Sequence, residues 1–285
     1  MIDLHVHSSA SSDARGSVLD YWEQARKVGI KILCLTNHLE YMHKSTGLVD
    51  INFERDFEKY EEEFKAAASL KGGPEILLGA ELGNRFNYRH QMEEYIRYFD
   101  WDFLTGSAHV VDGFGIAANH GIGYFEGKSE EEAYGCYFDK AEELLNWGPF
   151  QTFAHFDIIK RNGVTFYGAF RAEKYRDRIY KLLRLIKEKG IALELNTSGY
   201  FQNPREPYPC RQILEMAYET GIRKVTIGSD CHDPKNLGRG IEQGLALLKE
   251  VGFKEITFFR KRVPFKMEIL DTASISEPKG IHVKT

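Results

Sequence analysis

No apolar run in these 285 residues comes near the roughly 20 that a membrane-spanning helix needs, which argues against an integral membrane protein. The first residues also lack a basic stretch followed by an apolar one, so no secretory signal is expected and a cytosolic location is. Only four cysteines occur, Cys34, Cys136, Cys210 and Cys231, and none forms a CxxC pair. That scatter excludes a disulfide framework and a thiolate zinc site, leaving reduced thiols as the expectation. Excess positive charge is missing as well. The formal net charge is −4, without the concentrated basic surface that nucleic-acid binding uses. The densest basic cluster, Arg260-Lys261-Arg262, is expected to be a solvated surface segment. Low-complexity linkers and short hairpin signals are lacking too.

What remains is regular alternation. Segments of strand character recur at 1–6, 31–36, 75–82, 103–108, 152–156, 191–196 and 224–229, with helical patterns between them. From Tyr175 onward, Ile179, Leu182, Leu183 and Ile186 repeat with the helical period, which predicts a helix packed against a sheet. Ser129-Glu130-Glu131-Glu132 has the form of a capping box ahead of the Ala133, Tyr137, Ala141, Leu144 and Leu145 stripe. Glycine before an apolar residue at Gly29, Gly190 and Gly221 marks helix ends. Seven β/α units imply a parallel sheet, and closure into a barrel would gather all C-terminal strand ends on one face. Residues 1–270 read as one domain. The tail, 271–285, has neither period nor apolar density and is expected to be loosely ordered.

Six of the ten histidines fall where a strand run gives way to a loop. In Asp3-Leu4-His5-Val6-His7 the alternation of a strand puts Asp3, His5 and His7 on one side. Asp13 follows in the first loop, and His38 ends the second run in Thr36-Asn37-His38. Glu81 ends the third, His109 the fourth, His155 the fifth, and Asp230 and His232 the seventh in Ser229-Asp230-Cys231-His232. A lone histidine at a strand terminus is ordinary, but six aligned cases point to a metal centre. Neutral imidazole suits zinc or iron, and carboxylates complete the shell or bridge two ions. His43, His90, His120 and His282 lie elsewhere and are assigned surface or supporting roles.

These motifs, with Gly79-Ala80-Glu81, Gly106-Ser107-Ala108-His109, Ala154-His155-Phe156-Asp157 and Glu194-Leu195-Asn196-Thr197-Ser198-Gly199, resemble the polymerase-and-histidinol-phosphatase (PHP) superfamily over residues 1–270. Within it, 155–161 and the Pro207-Tyr208-Pro209 segment resemble the monofunctional histidinol-phosphate phosphatases. The resemblance implies an α/β fold, a distorted (β/α)7 TIM-like barrel with the metal site at the C-terminal strand ends. It also implies a cluster of two or three divalent ions, zinc, iron or manganese. His5, His7, Glu81 and Asp230 would hold the first ion, Glu81, His109 and His155 the second, and Asp13, His38 and His232 the third, with Glu81 as the bridge. Two departures bear on the third ion. Many relatives carry a histidine where Asp13 stands, and the usual Thr-Asp-His is Thr36-Asn37-His38 here.

Clustered divalent ions suit hydrolysis of a phosphate monoester, since they supply an activated water-derived nucleophile and counter-charge together and need no phosphoenzyme. A guanidinium can grip the remaining phosphate oxygens. Arg161, six residues after His155, is the first candidate, and the resemblance points to it as well; Arg15 and Arg205 follow. Glu81, Asp230, His232 and Arg161 are expected to carry the catalytic step on a small phosphorylated substrate. Hydrolysis of L-histidinol phosphate is the leading expectation. Another phosphorylated metabolite or nucleotide, or a non-catalytic metal-binding module, stands as the alternative. Histidinol would also need carboxylates or aromatic faces, for which Glu40, Tyr41, Asp112 and Tyr200 are candidates. Ser107, Ser229 and Asn196 are expected to support the ligands by hydrogen bonding.

Overall fold

A computed structural model of the chain describes residues 1–40 and 53–270. The strand periods produce seven parallel strands: β1 (Ile2–Val6), β2 (Ile32–Leu39), β3 (Glu75–Gly83), β4 (Phe103–Ser107), β7 (Thr152–Phe153), β8 (Ala192–Asn196) and β9 (Val225–Gly228). They stand side by side in that order, as a run of right-handed β/α units requires. Beyond its end, β9 returns to β1, with the Asp230 amide donating to His5 O (2.8 Å) and the His7 amide to Cys231 O (2.9 Å). The sheet is thus a nearly closed barrel with helices between its strands, as the alternation predicts. Closure demands close approach at one point. A Cβ on Gly228 would stand 2.2 Å from the Cβ of His5, so only glycine fits there.

The helices are α1 (Val18–Val28), α2 (Phe53–Ala68), α3 (Arg89–Tyr98), α4 (Glu130–Trp147), α5 (Lys160–Tyr167), α6 (Arg176–Glu188), α7 (Arg211–Thr220) and α8 (Ile241–Val251). Helix α6 buries Ile179, Leu182, Leu183 and Ile186, the stripe read from the sequence. At the start of α4, Ser129 and Glu132 form the expected capping box, and its apolar stripe is buried. Burying such a face stabilises a helix far more than its intrinsic propensity does.

Two features depart from the sequence reading. The first is hairpins. Val110–Val111 (β5) and Phe114–Gly115 (β6) pair around Asp112-Gly113, both at positive φ, an Asp-Gly turn signal that the reading overlooked. Glu255–Arg260 (β10) and Val263–Glu268 (β11) pair around Lys261-Arg262, also both at positive φ. The basic cluster is solvent-exposed at Lys261 and Arg262, as expected, but it forms a tight turn, concealed because neither central residue is glycine or asparagine. The second is strand length. Strand β2 runs on through Asn37 and His38, so this histidine lies within the strand rather than past its end, while β7 stops at Phe153 and leaves His155 in a loop at φ 25°.

Hairpin β10–β11 seals the N-terminal end of the barrel. Phe259 stacks on Phe103 of β4 at 5.5 Å, and Arg260 grips both carboxylate oxygens of Glu75 at 2.5 and 2.6 Å. The Asp102 carboxylate accepts from the amides of Leu78 and Lys261. At the opposite end the strands release their C-terminal residues into the loops that build the site. The expected tail at 271–285 lies outside the described residues.

Candidate metal centre

His5 and His7 leave β1 fully buried, after an irregular register that gives β1 one residue more than β2 between Asp3 and Val6. Bulges of this kind re-aim side chains beside functional sites. His5 Nδ1 faces Glu194 Oε1 at 2.6 Å, so it donates. His7 Nδ1 faces Ser11 Oγ at 3.4 Å, and that hydroxyl already gives its proton to Asn37 Oδ1, so His7 Nδ1 donates as well. The two Nε2 atoms then face each other 3.1 Å apart across the centre, a spacing that a shared proton or a shared metal ion satisfies. Two nitrogens on one tetrahedral zinc lie about 3.3 Å apart, from Zn–N distances of roughly 2.0–2.1 Å. His109 and His155 repeat the pattern, with Nε2 atoms 3.2 Å apart, and His109 Nδ1 is hydrogen-bonded to Glu40.

Glu81, from β3, stands between the two pairs. Its Oε1 accepts from Ser107 Oγ (2.5 Å), lies 2.9 Å from His155 Nε2, and is 3.4 Å from both His5 and His109 Nε2. Its Oε2 lies 3.6 Å from His7 Nε2 and 2.8 Å from His38 Nδ1. The His38 approach falls outside hydrogen-bonding directions, so Glu81 Oε2 and His38 Nδ1 are both buried without a hydrogen bond. Orphaned donor atoms at such spacing are costly as they stand and are satisfied by a cation.

The remaining predicted ligands close the ring. Asp230 Oδ1 is 3.4 Å from His7 Nε2 and 3.8 Å from His5 Nε2, and Asp13 Oδ2 is 3.4 Å from His38 Nε2 and 3.3 Å from His232 Nε2. His232 stacks on His7 at 4.3 Å. All nine predicted ligands are thus brought together. The division between them is less sharp than the resemblance implies. His38 reaches toward Glu81 as well as Asp13, and groups able to hold an ion include His38, Glu81 and His109, and His5, His155 and Asp230. His155 and Asp230 both hold positive φ, a strain that non-glycine residues keep where surrounding structure enforces it.

The electrostatics favour positive charge at the centre, carried by protons on the imidazoles or by a metal cation in their place. Burial alone would push Glu81 toward its neutral form, but His109, His5 and His38 outweigh it and hold the carboxyl well below its ordinary range. Burial would likewise neutralise His5, yet Glu194, Glu81 and Asp230 raise its pKa well above that of free imidazole. Burial, His232 and His38 lower His7 to about 3, so it offers a lone pair.

Above the ring opens a cavity of about 870 Å³. Arg161 and Arg15 line it, as expected. Arg205 is not among its lining residues; it sits exposed at φ 57° in a turn closed by its amide on Gln202 O. Of the substrate candidates, Glu40 is in the cavity wall, whereas Asp112 and Tyr200 are not among its lining residues and Tyr41 lies outside the described residues. His90 is exposed on α3 beside Glu94. His43 and His282 lie outside the described residues, as does the side chain of His120.

Several roles are not evident from the sequence: Glu194 orients His5, Glu40 orients His109 in addition to its place among the substrate candidates, and Arg85 and Arg239 line the cavity. Glu194 carried a usable signal. It shares the face of β8 with Asn196, and a carboxylate between Leu193 and Leu195 in a buried strand demands a partner. Asn196 in turn donates to Glu194 Oε2 at 3.2 Å, and Ser229 donates to Asp3 rather than to a ligand.

Comparison with known proteins gives concordant results. The PHP domain family model matches residues 3–198. A probable histidinol-phosphatase from Thermotoga maritima is 32% identical over 267 residues, spanning 92% of this chain and 97% of that protein. The histidinol-phosphatase of Lactococcus lactis is 24% identical over 90% of this chain and 94% of its own length. A crystal structure of the Lactococcus lactis histidinol phosphate phosphatase, complexed with zinc, L-histidinol and phosphate, shares the fold with a TM-score of 0.80 at 22% identity, covering 93% of this chain and 98% of that one.

Proposed function

The chain belongs to the PHP domain family, and from that premise we propose that it is a metal-dependent phosphomonoesterase. It hydrolyses L-histidinol phosphate to L-histidinol and inorganic phosphate, a step of histidine biosynthesis. Glu81 carries this reading: one buried carboxylate presents Oε1 to His5, His109 and His155 and Oε2 to His7 and His38, an arrangement suited to a ligand shared by two cations. Two or three divalent ions, zinc, iron or manganese, would be held by His5, His7, Asp13, His38, Glu81, His109, His155, Asp230 and His232. Bound there, such ions supply Lewis acidity that lowers the pKa of water and offsets charge developing on phosphorus.

The protein's own part is placement. Glu194 and Glu40 fix the tautomers of His5 and His109, so that each directs Nε2 inward. Ser107 holds Glu81 Oε1 in position. Arg161 is positioned on the cavity wall to grip phosphoryl oxygens, with Arg15 on the side of the first loop. Asp230 and His232, at the mouth, face both the ring and the cavity. Residues 1–270 are read as one barrel domain. Four free thiols, three of them buried, agree with a reducing compartment, and the cytoplasm is the proposed location. No helix among the described residues is long and apolar enough to cross a membrane.

The deciding experiment uses protein stripped of metal and reconstituted with zinc, manganese or iron. Phosphate release from L-histidinol phosphate is expected to exceed that from generic phosphate esters by orders of magnitude. Similar low rates across the panel would defeat the assignment.

A further inference from the structure

Arg85 leaves β3 four residues beyond Glu81 and lines the same cavity. Its Nε and Nη2 atoms are both buried, and among the described residues neither has a hydrogen-bond partner. These two atoms form one edge of the guanidinium, the edge that Arg260 uses at the other end of the barrel to hold both oxygens of Glu75. In Arg85 the same fork has no partner among the described residues. The carboxylates lining the cavity are engaged elsewhere: Glu40 with His109, Glu81 and Asp230 with the histidine ring, Asp13 with His38 and His232, and Asp233 with the Lys235 amide. The base of the side chain is held firmly. Neighbouring Asn84 accepts from the amides of His109 and Val110 and donates to Val110 O, tying the strand exit to the loop that carries a ring histidine. Arg85 as a whole is half-buried, but two buried guanidinium nitrogens without an acceptor are unfavourable, and their retention beside the cavity is explained when a ligand supplies the anion.

We propose that the Nε–Nη2 edge of Arg85 is an oxyanion-binding site of the cavity and grips two non-bridging oxygens of the phosphoryl group. The identity of that ligand rests on the phosphatase reading; the site itself rests on the open fork. Planar bidentate geometry matches a phosphoryl group as it matches a carboxylate, and a lysine cannot reproduce it.

The test compares metal-loaded wild type with Arg85→Met and Arg85→Lys, using calorimetric titration of inorganic phosphate, metal content, and the melting temperature of the metal-free chain. The methionine variant is expected to bind phosphate at least tenfold more weakly with full metal content, and the lysine variant to recover only part of the loss. Metal-free Arg85→Met is expected to melt no lower than wild type, because it removes two buried nitrogens that lack an acceptor. Phosphate affinity within twofold of wild type in Arg85→Met, or in Arg85→Lys should the methionine variant fail to fold, would overturn the proposal. So would a melting temperature several degrees lower, the mark of a structural arginine, or a wild-type protein that binds no phosphate when loaded. If phosphate binds through Arg85 but L-histidinol phosphate is not hydrolysed, the substrate assignment falls and the oxyanion site stands.

Discussion

The two ends of the barrel are built from the same strands and follow opposite rules. At the N-terminal end charges are matched and rings are stacked: Arg260 on Glu75, Asp102 on the amides of Leu78 and Lys261, Phe259 on Phe103. At the C-terminal end six imidazoles and three carboxylates face one another, and buried atoms of Glu81, His38 and Arg85 have no hydrogen bond. The closed end adds burial energy and asks for nothing further. The open end gives up stability to hold groups whose partners arrive from solution. Folding and binding are therefore expected to separate by position along the barrel axis.

Substitutions can break that separation or sharpen it. Replacing Glu81 with Ala is expected to have the largest functional effect, reducing bound metal and lowering phosphate release by more than the roughly 10–100-fold typical of residues that only orient ligands. Its metal-free melting temperature is expected to change little, and a collapse of the metal-free fold would show that the ring is structural. At the other end, Phe259→Ala is expected to cost about 3–5 kcal/mol of stability in denaturant titrations, the usual range for emptying a buried aromatic site. Activity per folded molecule should stay near wild type; a large fall would mean that the two ends are coupled. Glu194→Gln should give a smaller loss, roughly 10–100-fold in metal affinity, since the amide still fills the space but no longer holds the His5 Nδ1 proton as a carboxylate does. Metal competition with a chelator of known affinity reads this directly, and unchanged affinity would remove Glu194 from the centre.

The open end was also the more legible of the two in the sequence. Ligands sit at strand ends, strand ends follow apolar runs, and a period of two places His5 and His7 together without any knowledge of the fold. Glu81, His109, His155 and Asp230 follow by the same logic. What the sequence concealed depends on contacts distant along the chain. Arg85 resembles any other arginine after a strand until its empty fork is seen. Glu40 becomes a partner of His109 only because Gly83 leaves room; a Cβ there would stand 2.2 Å from the Glu40 carboxyl carbon. The sealing hairpin was hidden for a different reason, since Lys261-Arg262 takes positive φ without the residues that usually advertise it. Such a turn is enforced by the pairing and packing of its flanking strands, which no local window reports.

The seam between β1 and β9 joins His5 and His7 to Asp230 and His232 across more than 220 positions of chain. Two of the nine ligands therefore lie on one side of this seam and two on the other, and the full centre exists only once the segment after β9 has docked on β1. Completing the nine-ligand centre is thus tied to the costly long-range closure of the barrel, and an ion bound across the seam would latch it shut.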